Sequence, residues 1–126
     1  MHKVLLSIGA NTQAHFNINR AKSILQKQFP TIRFTDDIES KPHGSGFINL
    51  FVNTLGYFES DLSKKDLIAH FKNIEKKMGR EPKDKAEGKV IIDIDLIKWN
   101  SEVLKPEDFE RSYIRNLLES AKDDII

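Results

Sequence analysis

The sequence contains no cysteine, and that absence removes disulfides, thiolate nucleophiles, zinc-finger spacings and iron–sulfur ligation together. A metal ion, if one is used, must be held by oxygen or histidine. An excess of one charge sign is lacking too. Against 20 Lys+Arg stand 19 Asp+Glu, a formal net charge of +1, so no overall field points to nucleic acid or to a membrane surface. Long hydrophobic runs are also missing. Val4-Leu5-Leu6 turns polar at Ser7 and again at Asn11, too early for a signal-peptide core, and no stretch approaches a bilayer span. The expectation is a soluble cytoplasmic protein. What is present is 126 residues with 39% hydrophobic content, the size of one domain (1–126), which on folding buries roughly two thirds of its surface without staples.

Val4-Leu5-Leu6-Ser7-Ile8 is a β-type run ended by the turn cluster Gly9-Ala10-Asn11-Thr12, whose glycine suits positive φ or close approach of a ligand to the backbone. Phe16, Ile18, Ala21, Ile24, Leu25 and Phe29 recur at helical spacing. They predict a helix from about His15 to Gln28, with Asn11 or Thr12 as N-cap and Pro30 past its end. Ile32, Phe34 and Ile38 suggest a second strand, Ser40 to Gly46 a turn-rich loop, and Phe47 to Phe58 a well-buried strand. Ser63 opens a capping-box-like Ser63-Lys64-Lys65-Asp66 ahead of a helix marked by Leu67, Ile68, Phe71, Ile74, Glu75 and Met78, with Gly79 as its stop. Arg80 to Lys89 has no periodicity and reads as a mobile loop. Val90 to Ile97 follows as a strand, Asn100-Ser101 as a hairpin turn, and Phe109 to about Ala121 as a last helix. The order strand, helix, strand, strand, helix, strand is the split βαβ, ferredoxin-like arrangement. This is an α+β fold with an antiparallel sheet and helices packed on one face, leaving the other face for a site.

Asp93 and Asp95 are two apart in an apolar strand, so both carboxylates share one face while Ile92, Ile94 and Leu96 take the other. Two carboxylates brought that close repel each other unless a cation offsets them, and Mg²⁺ is bound in just this way, through one or two carboxylates with water and phosphate oxygens completing the octahedron. A bare D-x-D also occurs on ordinary solvated strand faces. Here, however, Arg80, Lys83, Lys85 and Lys89 precede it, the cations a polyphosphate needs, on a segment able to close as a lid. Glu75 is placed to orient a metal-bound water or a nucleotide group. Phe47 and Asn49, again two apart, are placed to stack on and hydrogen-bond a flat heterocycle. None of the four histidines shows metal-ligand spacing.

In combination, Ser7-Ile8-Gly9-Ala10-Asn11, Phe47-Ile48-Asn49, Ile74-Glu75-Lys76-Lys77-Met78-Gly79-Arg80 and Ile92-Asp93-Ile94-Asp95-Leu96 resemble the 6-hydroxymethyl-7,8-dihydropterin pyrophosphokinase family. The resemblance implies a ferredoxin-like fold and Mg²⁺-dependent transfer of pyrophosphate from ATP to the hydroxymethyl group of a reduced pterin in folate biosynthesis. It implies that Asp93 and Asp95 hold two Mg²⁺ ions and that Arg80 starts the catalytic loop. Gly9, Pro42, Phe47, Asn49 and Glu75 then serve the substrates. At loop positions where the family carries arginines and a tryptophan, this chain holds Pro82, Ala86, Glu87 and Val90, so Lys89 is the candidate replacement phosphate contact. Glu107 follows Pro106 where the family has a histidine, and Arg111, Tyr113 and Arg115 are stand-ins for its C-terminal contacts. These departures keep a second reading open, a non-catalytic homologue that binds a ligand or a partner. A third reading, an RNA binder using Lys64, Lys65, Lys72, Lys76, Lys77 and Lys83, lacks the aromatic pattern such sheets present to bases.

Overall fold

The computed structural model describes residues 1–40 and 49–104. Its elements run β1 (His2–Ala10), α1 (Ala14–Gln28), β2 (Arg33–Phe34), β3 (Ile38–Ser40), β4 (Phe51–Ser60), α2 (Lys64–Lys77), α3 (Pro82–Ala86), β5 (Asp93–Trp99) and β6 (Glu102–Val103). The strands form one antiparallel sheet in the order β2-β4-β1-β5-β6, with β3 also pairing with β4. Taking β2 and β3 as two pieces of one edge, this is the expected α+β arrangement. The predicted helix from Phe109 lies outside the described residues.

Alternation along β1 fixes the two faces. Val4, Leu6 and Ile8 point toward the helices and join Ile18, Ala21 and Leu25 of α1, Leu67, Phe71 and Ile74 of α2, and Ile94 and Leu96 of β5 in one buried cluster. Phe29 closes the end of this core, its ring 4.5 Å from that of Phe58. Leu5, Leu55 and Ile97 are also buried, outside that cluster. Phe16, counted on the apolar stripe from its spacing, is instead mostly exposed.

α2 begins and ends as its sequence predicts. The Ser63 hydroxyl accepts the Asp66 N–H at 3.2 Å, and Gly79 takes φ 96° just past the helix. The start of α1 differs from expectation. Gln13, in the left-handed region at φ 42°, is its N-cap and makes no side-chain cap bond, because Asn11 and Thr12 turn their side chains elsewhere. Instead Asn17 donates from Nδ2 to the Thr12 carbonyl at 2.7 Å.

Three other expectations are corrected. The strand through Ile32, Phe34 and Ile38 is broken into β2 and β3, because the Thr35 hydroxyl takes the Leu55 N–H at 2.9 Å where an edge strand would offer a carbonyl. Gly9 and Ala10 belong to β1 rather than to a turn, and Gly9 has no positive φ. The segment after Arg80 is not a featureless loop. It contains α3, whose first turn is capped by Asp84 accepting the Glu81 N–H at 2.8 Å.

β5 carries one irregularity. Val4 pairs with Trp99 and Leu5 with Lys98, but Leu6 pairs with Leu96, which leaves Ile97 as an extra residue on β5.

Candidate active site

Register builds the site. Gly9 pairs with Asn53 on one side and Asp93 on the other, while Ser7 pairs with Leu55 and Asp95. Directly opposed residues share a face, so Asp93 and Asp95 stand on the sheet surface away from the helices, beside the side-chain-free backbone of Gly9. A Cβ on Gly9 would come within 3.1 Å of Asn53 Oδ1.

At the N-terminal end of β5, the C-terminal turn of α2 closes over the strand edge. Glu75 is almost fully buried, its side chain 4% exposed, and its Oε2 accepts the Ile94 N–H at 2.7 Å. An edge amide that would otherwise point at solvent is thereby satisfied. The same carboxylate receives Arg80 Nη1 at 2.9 Å and Lys72 Nζ at 3.3 Å. Arg80 also reaches Asp93 Oδ1 at 3.1 Å, and Lys72 stands 4.0 Å from Asp95. Three carboxylates and two cations therefore interleave at one corner of the sheet. Burial, followed by the neighbouring charge of Asp95 and its hydrogen bond and then by Glu75, lifts the Asp93 carboxyl from its ordinary 3.8 to about 7, with Arg80 working the other way.

Of the sequence candidates, Glu75, Arg80, Asp93 and Asp95 converge here, with Gly9 alongside. Lys89 does not. Its Nζ pairs with Glu87 at 3.2 Å. Asn49 is exposed and precedes β4 rather than lying within a strand, while Phe47 and Pro42 lie outside the described residues, as do Arg111, Tyr113 and Arg115. Lys72, counted in the sequence only among the lysines of an RNA-binding face, belongs to this corner instead, and its i,i+3 spacing to Glu75 was the available signal.

Against this corner lies a groove of about 610 Å³, lined by Lys72, Asn73, Glu75, Lys76, Arg80, Glu81 and Pro82 among others. Lys72 and Arg80 belong both to it and to the corner beside the aspartates. Among the described residues no three His, Cys, Asp or Glu side chains converge to enclose an ion. Two carboxylates two residues apart on one strand face, half-buried at Asp93 and more deeply buried at Asp95, do suit Mg²⁺, which is bound through one or two carboxylates with water and substrate oxygens completing its shell.

An antiparallel sheet with helices on one face, and an acidic pair flanked by cations on the other, defines an α+β protein with a candidate metal-and-phosphate site. The chain belongs to the 7,8-dihydro-6-hydroxymethylpterin-pyrophosphokinase (HPPK) family, whose model matches residues 5–122. Membership brings the pyrophosphokinase class and a place in folate synthesis. Comparison with curated proteins gave no match.

Proposed function

We propose that this chain transfers pyrophosphate from ATP to the hydroxymethyl group of 6-hydroxymethyl-7,8-dihydropterin, with two Mg²⁺ held at Asp93 and Asp95. The observation that carries the reading is the placement of both carboxylates on the sheet face away from the helices, beside Gly9 and next to the Glu75–Arg80–Lys72 cluster. The pterin hydroxyl oxygen forms a bond to the β-phosphorus of ATP as its O–H bond breaks and the proton passes to water, the bond from that phosphorus to the oxygen bridging to the α-phosphate breaks, and AMP leaves with that oxygen. Mg²⁺ supplies charge neutralisation on the phosphates. Such transfers need little covalent help from protein, so the chain's work is positioning and electrostatics. In this reading Arg80 and Lys72 face the polyphosphate from the groove, and Glu75 keeps Arg80 in place. Gly9 leaves room for substrate against the backbone, Asn49 and Phe47 read the pterin, Pro42 shapes its loop, and Lys89 reaches the phosphates when the segment closes.

Purified protein mixed with ATP, Mg²⁺ and the pterin is expected to form AMP, and Asp95→Asn to lower kcat by about 10² or more. A folded protein that forms no AMP above background rejects the activity. One observation favours a second reading, a binding module without turnover. Arg80 is engaged by Glu75 and Asp93, Lys83 by Glu81 and Lys89 by Glu87. Mg²⁺-dependent ATP binding without AMP formation selects that reading.

A further inference from the structure

Asn11 lies one residue beyond β1 and is 4% exposed. Its Oδ1 accepts the Val90 N–H at 2.6 Å and the Thr12 hydroxyl at 3.0 Å, and its Nδ2 donates to the Gly88 carbonyl at 3.0 Å. Its backbone N–H donates to the Val90 carbonyl at 2.9 Å. Two donors on one end of the amide and a carbonyl on the other fix its orientation. A single side chain thus satisfies backbone groups of two residues far away in sequence.

The position of those two residues gives the contact its meaning. The β1–β5 ladder ends at the Gly9–Asp93 pair, and strand ends open locally at low cost. Val90 is three residues before Asp93, within about 10 Å along an extended chain. On its other side the connector is closed on itself. The Asp84 carbonyl accepts the Glu87 and Lys89 N–H groups at 3.0 and 2.8 Å, and Gly88 turns the chain at φ 74°, a conformation costly for residues with a Cβ. The stretch from Arg80 to Asp93 is therefore held at Arg80, by Glu75 and Asp93, at Ile92, which is buried in the core, and at Gly88 and Val90, by Asn11.

We propose that Asn11 is a positioning residue for the Asp93–Asp95 pair: by holding Gly88 and Val90 it sets where β5 begins and keeps Asp93 in register with Gly9. Its effect on turnover rests on the pyrophosphokinase reading, whereas its effect on the carboxylate pair does not.

The test uses the full chain and two variants. Asn11→Ala removes all three side-chain bonds, whereas Asn11→Asp keeps the acceptor for Val90 and Thr12 and loses the donor to Gly88, so it serves if the alanine variant fails to fold. Amide hydrogen exchange, Mg²⁺ titration by calorimetry and steady-state kinetics are measured on each. In Asn11→Ala, exchange at Val90 is expected to rise about tenfold or more while Leu55 on β4 is unchanged. Mg²⁺ affinity is expected to fall about tenfold, in the range seen when partners of metal ligands are removed, with kcat falling more than the KM for ATP. Asn11→Asp is expected to fall between alanine and wild type. A folded variant whose Mg²⁺ affinity stays within about twofold of wild type overturns the proposal, as does wild-type protein that binds no Mg²⁺. Wild-type protein that binds Mg²⁺ but forms no AMP overturns the pyrophosphokinase reading, and leaves Asn11 to be judged by the fall in affinity.

Discussion

Glu75 shows how much one side chain contributes to this corner. Its carboxylate serves an edge amide of β5 and the side chains of Arg80 and Lys72 from a position with almost no solvent. Arg80 and Lys72 are themselves partly exposed and Arg80 keeps Asp93, so what the loss of Glu75 strands is the Ile94 N–H. Glu75→Ala is expected to destabilise by about 1–3 kcal/mol. Glu75→Gln keeps an acceptor for Ile94 and is expected to cost less, about 0.5–1.5 kcal/mol, both read by denaturant unfolding. Asp93 gives a pH signature of the same corner. Its carboxyl holds its proton up to about 7 in the fold but only to its ordinary 3.8 when unfolded, so between those values the folded state binds more protons. Stability without divalent cation is therefore expected to fall as pH rises from 4 to 7 and then to level off. The side chain is 40% exposed, which keeps the effect modest. Thermal melts in EDTA across that range check it, and Asp93→Asn should flatten the slope. The acidic pair itself was legible from alternation alone. The roles of Glu75 and Asn11 were not, since Ile94 is 19 residues from Glu75 and Val90 is 79 from Asn11, and no local pattern reports such partners.

At the scale of elements, legibility follows how local the determinants are. Ser63 and Gly79 bound α2 as expected because a cap is decided within one helical turn. Gly79 has φ 96°, and nothing lies within 4 Å of where a Cβ would sit. The cost of Gly79→Ala is thus conformational rather than steric, about 1–2 kcal/mol, and calorimetric melting should show it without change in Mg²⁺ affinity. The break between β2 and β3 was hidden because it depends on Leu55, a residue of the neighbouring strand. α3 was hidden because five residues are too few to show a helical period, and what stabilises them is Asp84 folding back on Glu81.

For the molecule as a whole, the sheet order and the face assignment followed from the order of elements and the apolar alternation, since only one face can take both helices. Near-neutral net charge proved to be a sum over an uneven layout, with carboxylates on the sheet corner and lysines along the groove beside it. That juxtaposition is tertiary, and composition averages it away.

The extra residue at Ile97 acts on β5 as a single inserted letter acts on a reading frame. Before it, odd positions carry Asp93 and Asp95 outward, and after it the odd position Trp99 packs inward against the core, opposite Val4. Two phases of one strand are joined at that point. The hairpin beyond can consequently be lengthened, shortened or exchanged in descent without altering which way the two carboxylates point.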